Sequence, residues 1–354
     1  MTAIVRCYDR IGNYLDVLDN AQLGTRSWVS NRIGDFDFRL PRTDPKATKT
    51  NLGKLNMIQV ESDTGVSDWG GQIKEVVWED PAYIYVKCES KEALLRRHIV
   101  EDYTFTDRRT TGSIINGILR QELASSGGIP GISIGSIESS GETTAYSARG
   151  IDLWDDVIRD MLQFIDDERG LAYVWVEADG KFHWKMTRGA DLSTQMILRS
   201  GYHINKWPRY RIDYSGIITQ AIGYSNQASW SEKHKMKIRN LPAWAEWGTL
   251  EGTTVAKRGT SDDTAKKHAR MYIRQNYAPS ALLDIQINNR DSIWSNFWIG
   301  DTVRVVIPNF GWEEEGGCDV KLKIQGIEIQ EKLEKMRIIG SVVLPPAQES
   351  WGTF

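Results

Sequence analysis

The stretch from Asp152 to Lys185, DLWDDVIRDMLQFIDDERGLAYVWVEADGKFHWK, limits the fold more than any other part of the chain. It runs an amphipathic helix straight into a hairpin. Leu153, Val157, Met161 and Ile165 recur every fourth residue with Trp154, Ile158 and Leu162 beside them, which is the apolar stripe of a helix packed on a sheet. Asp152, Asp155 and Asp156 complement the positive end of the helix dipole, and Gly170 supplies a left-handed stop. Period two then takes over: Tyr173 and Trp175 share one face, Val174 and Val176 the other, around an Ala178-Asp179-Gly180 turn. One buried helix face and one hairpin are therefore specified in the middle of the chain.

On either side the pattern is strand-rich. In DFDFRLP, Phe36, Phe38 and Leu40 alternate before Pro41; AIVRCYD, NYLDVLD, RSWVSNRI, LNMIQVES, WGGQIKEVVWED and YIYVKCES follow the same rule. Short strands joined by turns, with no crossover helices, predict an antiparallel barrel-like domain over residues 1–100. Two helices are expected next, one near 90–100 capped by Ser90 and one near 113–126 capped by Ser113, followed by a Gly/Ser-rich loop containing the strand ISIGSI. These, with the central helix and hairpin, form an inserted domain over 101–205. Alternation resumes over 206–346, predicting a second barrel-like domain. It contains a helix at 261–277 capped by Ser261, with Ala265, Ala269, Tyr272 and Ile273 buried, and an irregular excursion over 231–259. Residues 347–354 are expected to be a frayed tail. The predicted class is mixed and β-rich (α+β): two antiparallel β-barrel-like domains with an inserted helix-plus-hairpin domain.

Composition narrows function mainly by exclusion. At 354 residues there is chain enough for two or three domains, and 44 basic against 47 acidic residues give no basic stripe for a dedicated nucleic-acid binder. Cys7, Cys88 and Cys318 are far apart, outside CxxC or Cys/His spacing, and predict reduced, mostly buried thiols. The N-terminus has charges where a signal peptide needs an apolar core, and no run approaches the roughly 18 apolar residues of a membrane span. The expectation is a product made in a cytoplasm without stable membrane insertion.

No catalytic motif emerges. Asp155, Asp160, Asp166, Asp167 and Glu168 could supply paired carboxylates for a glycosidase, but they fall on the polar face and ends of one helix, where solvation and dipole complementation account for them. His98, His183, His203, His234 and His268 form no metal-binding spacing, and there is no GxSxG elbow. Catalytic residues, cofactor and metal are accordingly predicted to be none. Trp28, Trp69, Trp78, Trp175, Trp184, Trp294 and Trp298 lie in or beside expected strands and suit packing. Trp230, Trp244 and Trp247 lie in the irregular excursion, where they are candidates for contact with a protein or a glycan.

The order of elements resembles a known family. FDFRLP, LGKLNMIQVES, WGGQIKEVVWED and KEALLRRHIV, then the central helix and hairpin, then FWIGDTVRVVIP with IQGIEIQEKLEKMRIIGSVV, are similar to phage tail-tip hub (baseplate hub) proteins from about Ala3 to Pro346. The resemblance implies a structural, non-enzymatic virion protein. It would form a homotrimeric ring of six barrels at the end of the tail tube, contacting a distal tail protein, a tape measure protein and a receptor-binding or tail-fibre protein. DNA would pass only in transit. The chain ends soon after the second barrel, so it resembles a short form without a lytic domain. A tail-tip carbohydrate adhesin and an envelope-degrading hydrolase are the competing readings.

Overall fold

The computed structural model describes residues 3–53, 55–62, 68–78, 80–125, 128–139, 143–148, 150, 152–162, 172–225, 234–255, 262–308, 310, 317–330, 333–343 and 350–353. These form two compact units, Met1–Pro208 with Asp284–Gly340, and Arg209–Leu283 with Ser341–Phe354. The fold is β-rich, with few helices.

Seven strands open the first unit: β1 (Ala3–Tyr8), β2 (Tyr14–Val17), β3 (Gln22–Val29), β4 (Asp35–Pro41), β5 (Met57–Ser62), β6 (Trp69–Val77) and β7 (Tyr83–Ser90). They are hydrogen-bonded in the order β3-β4-β7-β6-β5-β1-β2, every pair antiparallel. The alternation seen in the sequence decides which side is core. Phe36, Phe38 and Leu40 of β4 join Val5, Cys7, Ile58, Val60, Ile84 and Val86 in one apolar cluster. Burying each large side chain contributes about 1.5–3 kcal/mol.

The insert follows: α1 (Glu92–Leu95), β8 (Tyr103–Thr110), α2 (Thr111–Ala124), β9 (Ser133–Ile137), β10 (Thr143–Ala148), α3 (Trp154–Leu162), β11 (Tyr173–Val176) and β12 (Lys181–Lys185). Trp154, Val157 and Met161 of α3 are fully buried with Ile114, Ile115, Ile118 and Leu119 of α2 and Phe182 and Trp184 of β12. Ile165 and Gly170 lie outside the described residues.

Two expected helix starts differ. Thr110, not Ser113, caps α2, its side chain accepting from the Ser113 N–H at 3.3 Å. Ser90 caps nothing: it ends β7, and its hydroxyl accepts from the Gly34 N–H at 2.8 Å. The first helix stops at Leu95 because the chain beyond it is drawn toward the start of α3, Ile99 bridging Leu153 and the Val100 N–H donating to Asp152 at 2.9 Å.

β11 and β12 form the expected hairpin, with β9 parallel to β12. Gly180 in its turn has φ +95°, and a Cβ there would lie 2.1 Å from the Gly131 carbonyl oxygen, so only glycine fits. The neighbouring Ala178 backbone approaches β6 so closely that a Cβ on Gly70 would stand 2.5 Å from its carbonyl oxygen. Asn31, in the β3–β4 loop, accepts from the Val174 N–H at 2.7 Å and donates to the Ala172 carbonyl at 3.1 Å. The hairpin is thus fastened to the N-terminal strands.

After β13 (Ile197–Arg199) the chain enters the second unit with β14 (Arg209–Asp213), β15 (Gln220–Ser225), β16 (His234–Asn240), α4 (Leu241–Trp247), β17 (Glu251–Val255) and α5 (Asp262–Asn276). The expected irregular excursion is therefore regular over much of its length. β16 pairs antiparallel with β15, and β17 lies parallel to β15 on the other side. Ala265, Ala269 and Ile273 of α5 are fully buried, and Tyr272 packs against the same core. Ser261, the expected cap, lies outside the described residues.

Four strands complete the chain: β18 (Ser280–Asn288), β19 (Thr302–Pro308), β20 (Gly317–Gln330) and β21 (Lys335–Val342), before β22 (Trp351–Thr353) pairs antiparallel with β16. The tail expected to fray is in part that strand. Residues 284–340, expected within the second β domain, cluster with the N-terminal strands. The reason is β20: its Gly317–Lys323 half pairs with β19, and its Gly326–Gln330 half pairs with β3. The first unit's sheet therefore runs β18-β21-β20-β3-β4-β7-β6-β5-β1-β2, with β13 and β19 branching from β20.

Candidate interaction face of the large sheet

Strand register places the side chains of this sheet on two faces. Since Phe36, Phe38 and Leu40 point to the core, Asp35, Asp37 and Arg39 point away, opposite Glu89, Lys87 and Tyr85 of β7. The ladders carry the same face to Glu75 on β6, and to Gln59 and Glu61 on β5, which stand opposite Arg6 and Ile4 of β1. Toward the other end it continues through Ser27 and Thr25 of β3 to Glu328 and Gln330 of β20. A sheet with one apolar side and one polar side results.

The polar side is laced with ion pairs. Arg6 makes a two-pronged contact with Glu61 at 2.9 and 3.0 Å, and Lys87 donates to Glu75 at 2.9 Å. Arg337 bridges Asp284 at 2.7 Å and Glu328 at 2.9 Å, tying β21 to β18 and β20. On β19 and the first half of β20, where Leu322 and Ile324 are the buried positions, Arg304 pairs with Asp319 at 2.7 Å and Lys321 with Asp191 at 2.9 Å. Arg39 bonds Gln22 at 2.8 Å, its guanidinium over the Tyr83 ring at 4.6 Å. The hydrogen bond from Arg304 holds the Asp319 carboxyl below its usual range, and the bond that Arg6 donates to Glu61 raises the pKa of Arg6. These exposed pairs add little stability. Their consequence is electrostatic: Arg6, Lys87 and Arg337 are already neutralised by neighbouring carboxylates, whereas Arg39 rests on Gln22 and Tyr83.

The insert covers one end of the face. Glu89 is buried there, taking Arg97 at 2.6 Å and Gln72 at 3.0 Å. Further along, the hairpin stands off the sheet and leaves a cavity of about 600 Å³ between β3, β6 and the Trp175–Asp179 turn. Its Glu92 carboxyl accepts from the Val176 N–H at 3.0 Å, and burial raises its pKa. Residues from several distant segments form this cavity, so no local motif marks it in the sequence.

Of the aromatic contact candidates, Trp244 and Trp247 lie on α4 in the second unit. Trp244 is 38% exposed, with the Arg239 guanidinium 4.5 Å from its ring and its indole N–H donating to Thr249 at 2.9 Å. Trp247 lies 6.2 Å from Tyr214. Trp230 lies outside the described residues. Trp69, Trp184 and Trp294 are fully buried, as expected of packing residues, whereas Trp78 is exposed. Of the acidic residues considered for hydrolysis, Asp155 pairs with Arg159 one turn along α3 at 3.0 Å; the side chains of Asp160, Asp166, Asp167 and Glu168 lie outside the described residues. Among the described residues no group of three or more His, Cys, Asp or Glu could hold a metal ion, and no helix is long and apolar enough to cross a membrane.

No protein-family model matches the sequence, and no curated protein does. Solved structures do match. Prophage tail protein gp18 from Listeria monocytogenes EGD-e aligns with 96% of this chain and 94% of its own, at a TM-score of 0.66 and 15% identity. The chain has the fold of prophage tail proteins. The 43 kDa tail protein of prophage MuSo2 from Shewanella oneidensis shares this tail-protein fold over 98% of this chain and 99% of its own, at a TM-score of 0.64 and 13% identity. A tail protein from Neisseria meningitidis MC58 does so over 96% of both, at 0.60 and 14%. With identities this low, the likeness lies in strand order and not in shared side chains. It extends across both units of the tail-protein fold described above.

Proposed function

We propose that the chain is a structural tail-tip hub protein of a phage or prophage, made in the host cytoplasm and carried in the virion. The observation behind this reading is the end-to-end likeness to prophage tail proteins. In the proposal, each chain contributes two tube-like modules, one from the N-terminal strands and one from the C-terminal strands, with the helix-and-hairpin insert between them in sequence. Three copies then close a ring at the distal end of the tail tube. The ring docks on a distal tail protein, meets the end of the tape measure protein, supports a receptor-binding or tail-fibre protein, and gates the passage of DNA. It performs no catalysis.

The polar face suits a conduit wall. A polyanion passing a row of free cations would be retained, because each phosphate contact formed must later be broken. On this face Arg6, Lys87 and Arg337 sit on carboxylates, so at those positions such a wall offers phosphate no free cation. Closed threefold rings bury large head-to-tail surfaces, one patch of each protomer meeting a different patch of the next.

The test is the mass of the purified chain in solution over a concentration series, with imaging of any oligomer. A threefold ring with a central channel is expected. A chain that stays monomeric at every concentration, and also when mixed with its distal tail protein, would overturn the ring. A second reading, a glycan-binding adhesin, draws on the exposed Trp244 with Trp247 nearby on α4. It predicts retention on a glycan array that is lost on Trp244→Ala.

A further inference from the structure

We infer that the cavity between the insert hairpin and the large sheet is a binding site for a ligand carrying a carboxylate, held by Arg188 and Arg32. The inference rests on this unit alone and is independent of the hub proposal.

Two cations line the cavity, and they behave unlike those on the open face. Neither the Arg188 nor the Arg32 guanidinium makes a hydrogen bond or ion pair among the described residues. Elsewhere in the same unit, Arg6, Arg97, Arg109, Arg159, Arg304 and Arg337 each sit on a carboxylate. Arg188 is half-buried, and its guanidinium lies 4.4 Å from the centre of the Trp175 ring, which His183 backs in parallel at 4.7 Å. The fork is therefore fixed in place while its donors stay unused. Burial brings its pKa down to about 10, which leaves it charged at neutral pH.

The cavity also has carboxylates on its wall, and their bonding decides what anion fits. Asp301 accepts from the Ala190 and Trp298 N–H groups at 2.8 and 2.6 Å; Asp179 pairs with Lys181 at 2.6 Å; Glu177 stands 3.1 Å from His183; Glu92 accepts from the Val176 N–H at 3.0 Å; and Asp68 also lines the wall. None of them contacts Arg188 directly, although Glu92, one of whose oxygens is buried without a hydrogen-bond partner, is the carboxylate that acts on it most strongly. They do keep the surroundings acidic, which disfavours a doubly charged phosphate and leaves room for a single carboxylate. A planar carboxylate also matches the two parallel donors of a guanidinium. The volume, about 600 Å³, is within the roughly 300–1,000 Å³ of small-ligand pockets. Trp28 and Trp298, packed edge to face at 5.1 Å, offer an indole wall for the ligand's body. The ligand chemistry is thus a carboxylate on a compact body, from either a sugar acid or an acidic peptide residue.

Calorimetric titration of the full chain tests this with glucuronate, N-acetylaspartate amide, inorganic phosphate and glucose. Binding of one or both carboxylates, with phosphate and glucose silent, is the expected result; glucuronate alone assigns a sugar acid, and the aspartate derivative alone a peptide. Arg188→Lys keeps charge but loses the fork, and should weaken binding about tenfold or more with little change in melting temperature. Arg32→Gln, on an exposed side chain, keeps the test open should the first variant fold poorly, and is expected to weaken binding as well. No heat from either carboxylate, equal binding of phosphate, or undiminished binding by a folded variant would overturn the assignment.

Discussion

Trp28 of β3 and Ile327 of β20 stand opposite each other in an antiparallel ladder, so strands from the two ends of the chain share one sheet. Ile327 is fully buried. Ile327→Ala is expected to cost about 2–5 kcal/mol, as for other large-to-small core changes. Because the ladder joins both strand sets, amide exchange should quicken in β3 and β4 as well as in β20. Faster exchange confined to β20 and β21 would show that the two sets are stable independently.

The cap of α2 gives a sharper comparison. Thr110→Ala removes the side chain that accepts from the Ser113 N–H and should lower stability by about 1 kcal/mol. Ser113→Ala, inside the first turn, should cost less. Denaturant melts of the two variants settle the order, and a larger loss from Ser113→Ala would contradict the assigned cap.

Glu92 makes stability depend on pH. Burial raises its folded pKa above the unfolded value near 4.5, so its contribution is complete below that value and is lost as pH rises through the folded pKa. Glu92→Gln removes the titration. Relative to the parent, its melting temperature should climb as pH goes from about 4 to 7. A constant difference across that range would mean that the carboxyl is not penalised by its surroundings.

The thiols should differ in reactivity. Burial pushes the Cys7 pKa up to about 12 and raises that of Cys88, whereas Cys318 is half-exposed. An alkylating reagent at mildly alkaline pH should mark Cys318 in the native protein and reach Cys7 and Cys88 only after unfolding, as mass spectrometry of the peptides would report. Prompt native labelling of Cys7 would place that strand in an open state.

The elements that sequence revealed best were those whose partners are local. Phe36, Phe38 and Leu40 declare a half-buried strand by alternation, and Trp154, Val157 and Met161 declare a helix face by spacing. The turn at Gly180 is equally local. What escaped depended on distant neighbours. Nothing in IQGIEIQ says that it will pair with β3, and nothing in KEALLRRHIV says that Ile99 will be taken by Leu153. β16 was obscured differently: Met236 and Ile238 alternate, but Lys235, Lys237 and Arg239 between them read as a solvated loop. The cavity escaped because Arg32, Glu92 and Arg188 meet only through the fold.

The division of β20 between two partners has a consequence for synthesis. β3 leaves the ribosome early, with one edge satisfied by β4 and the other awaiting residues 326–330. At translation rates of about 5–20 residues per second, that edge stays unpaired for roughly fifteen seconds to a minute. An open strand edge in a nascent chain invites pairing with another copy. Polysomes crowded with this product therefore carry a misassembly hazard that ends only when β20 arrives.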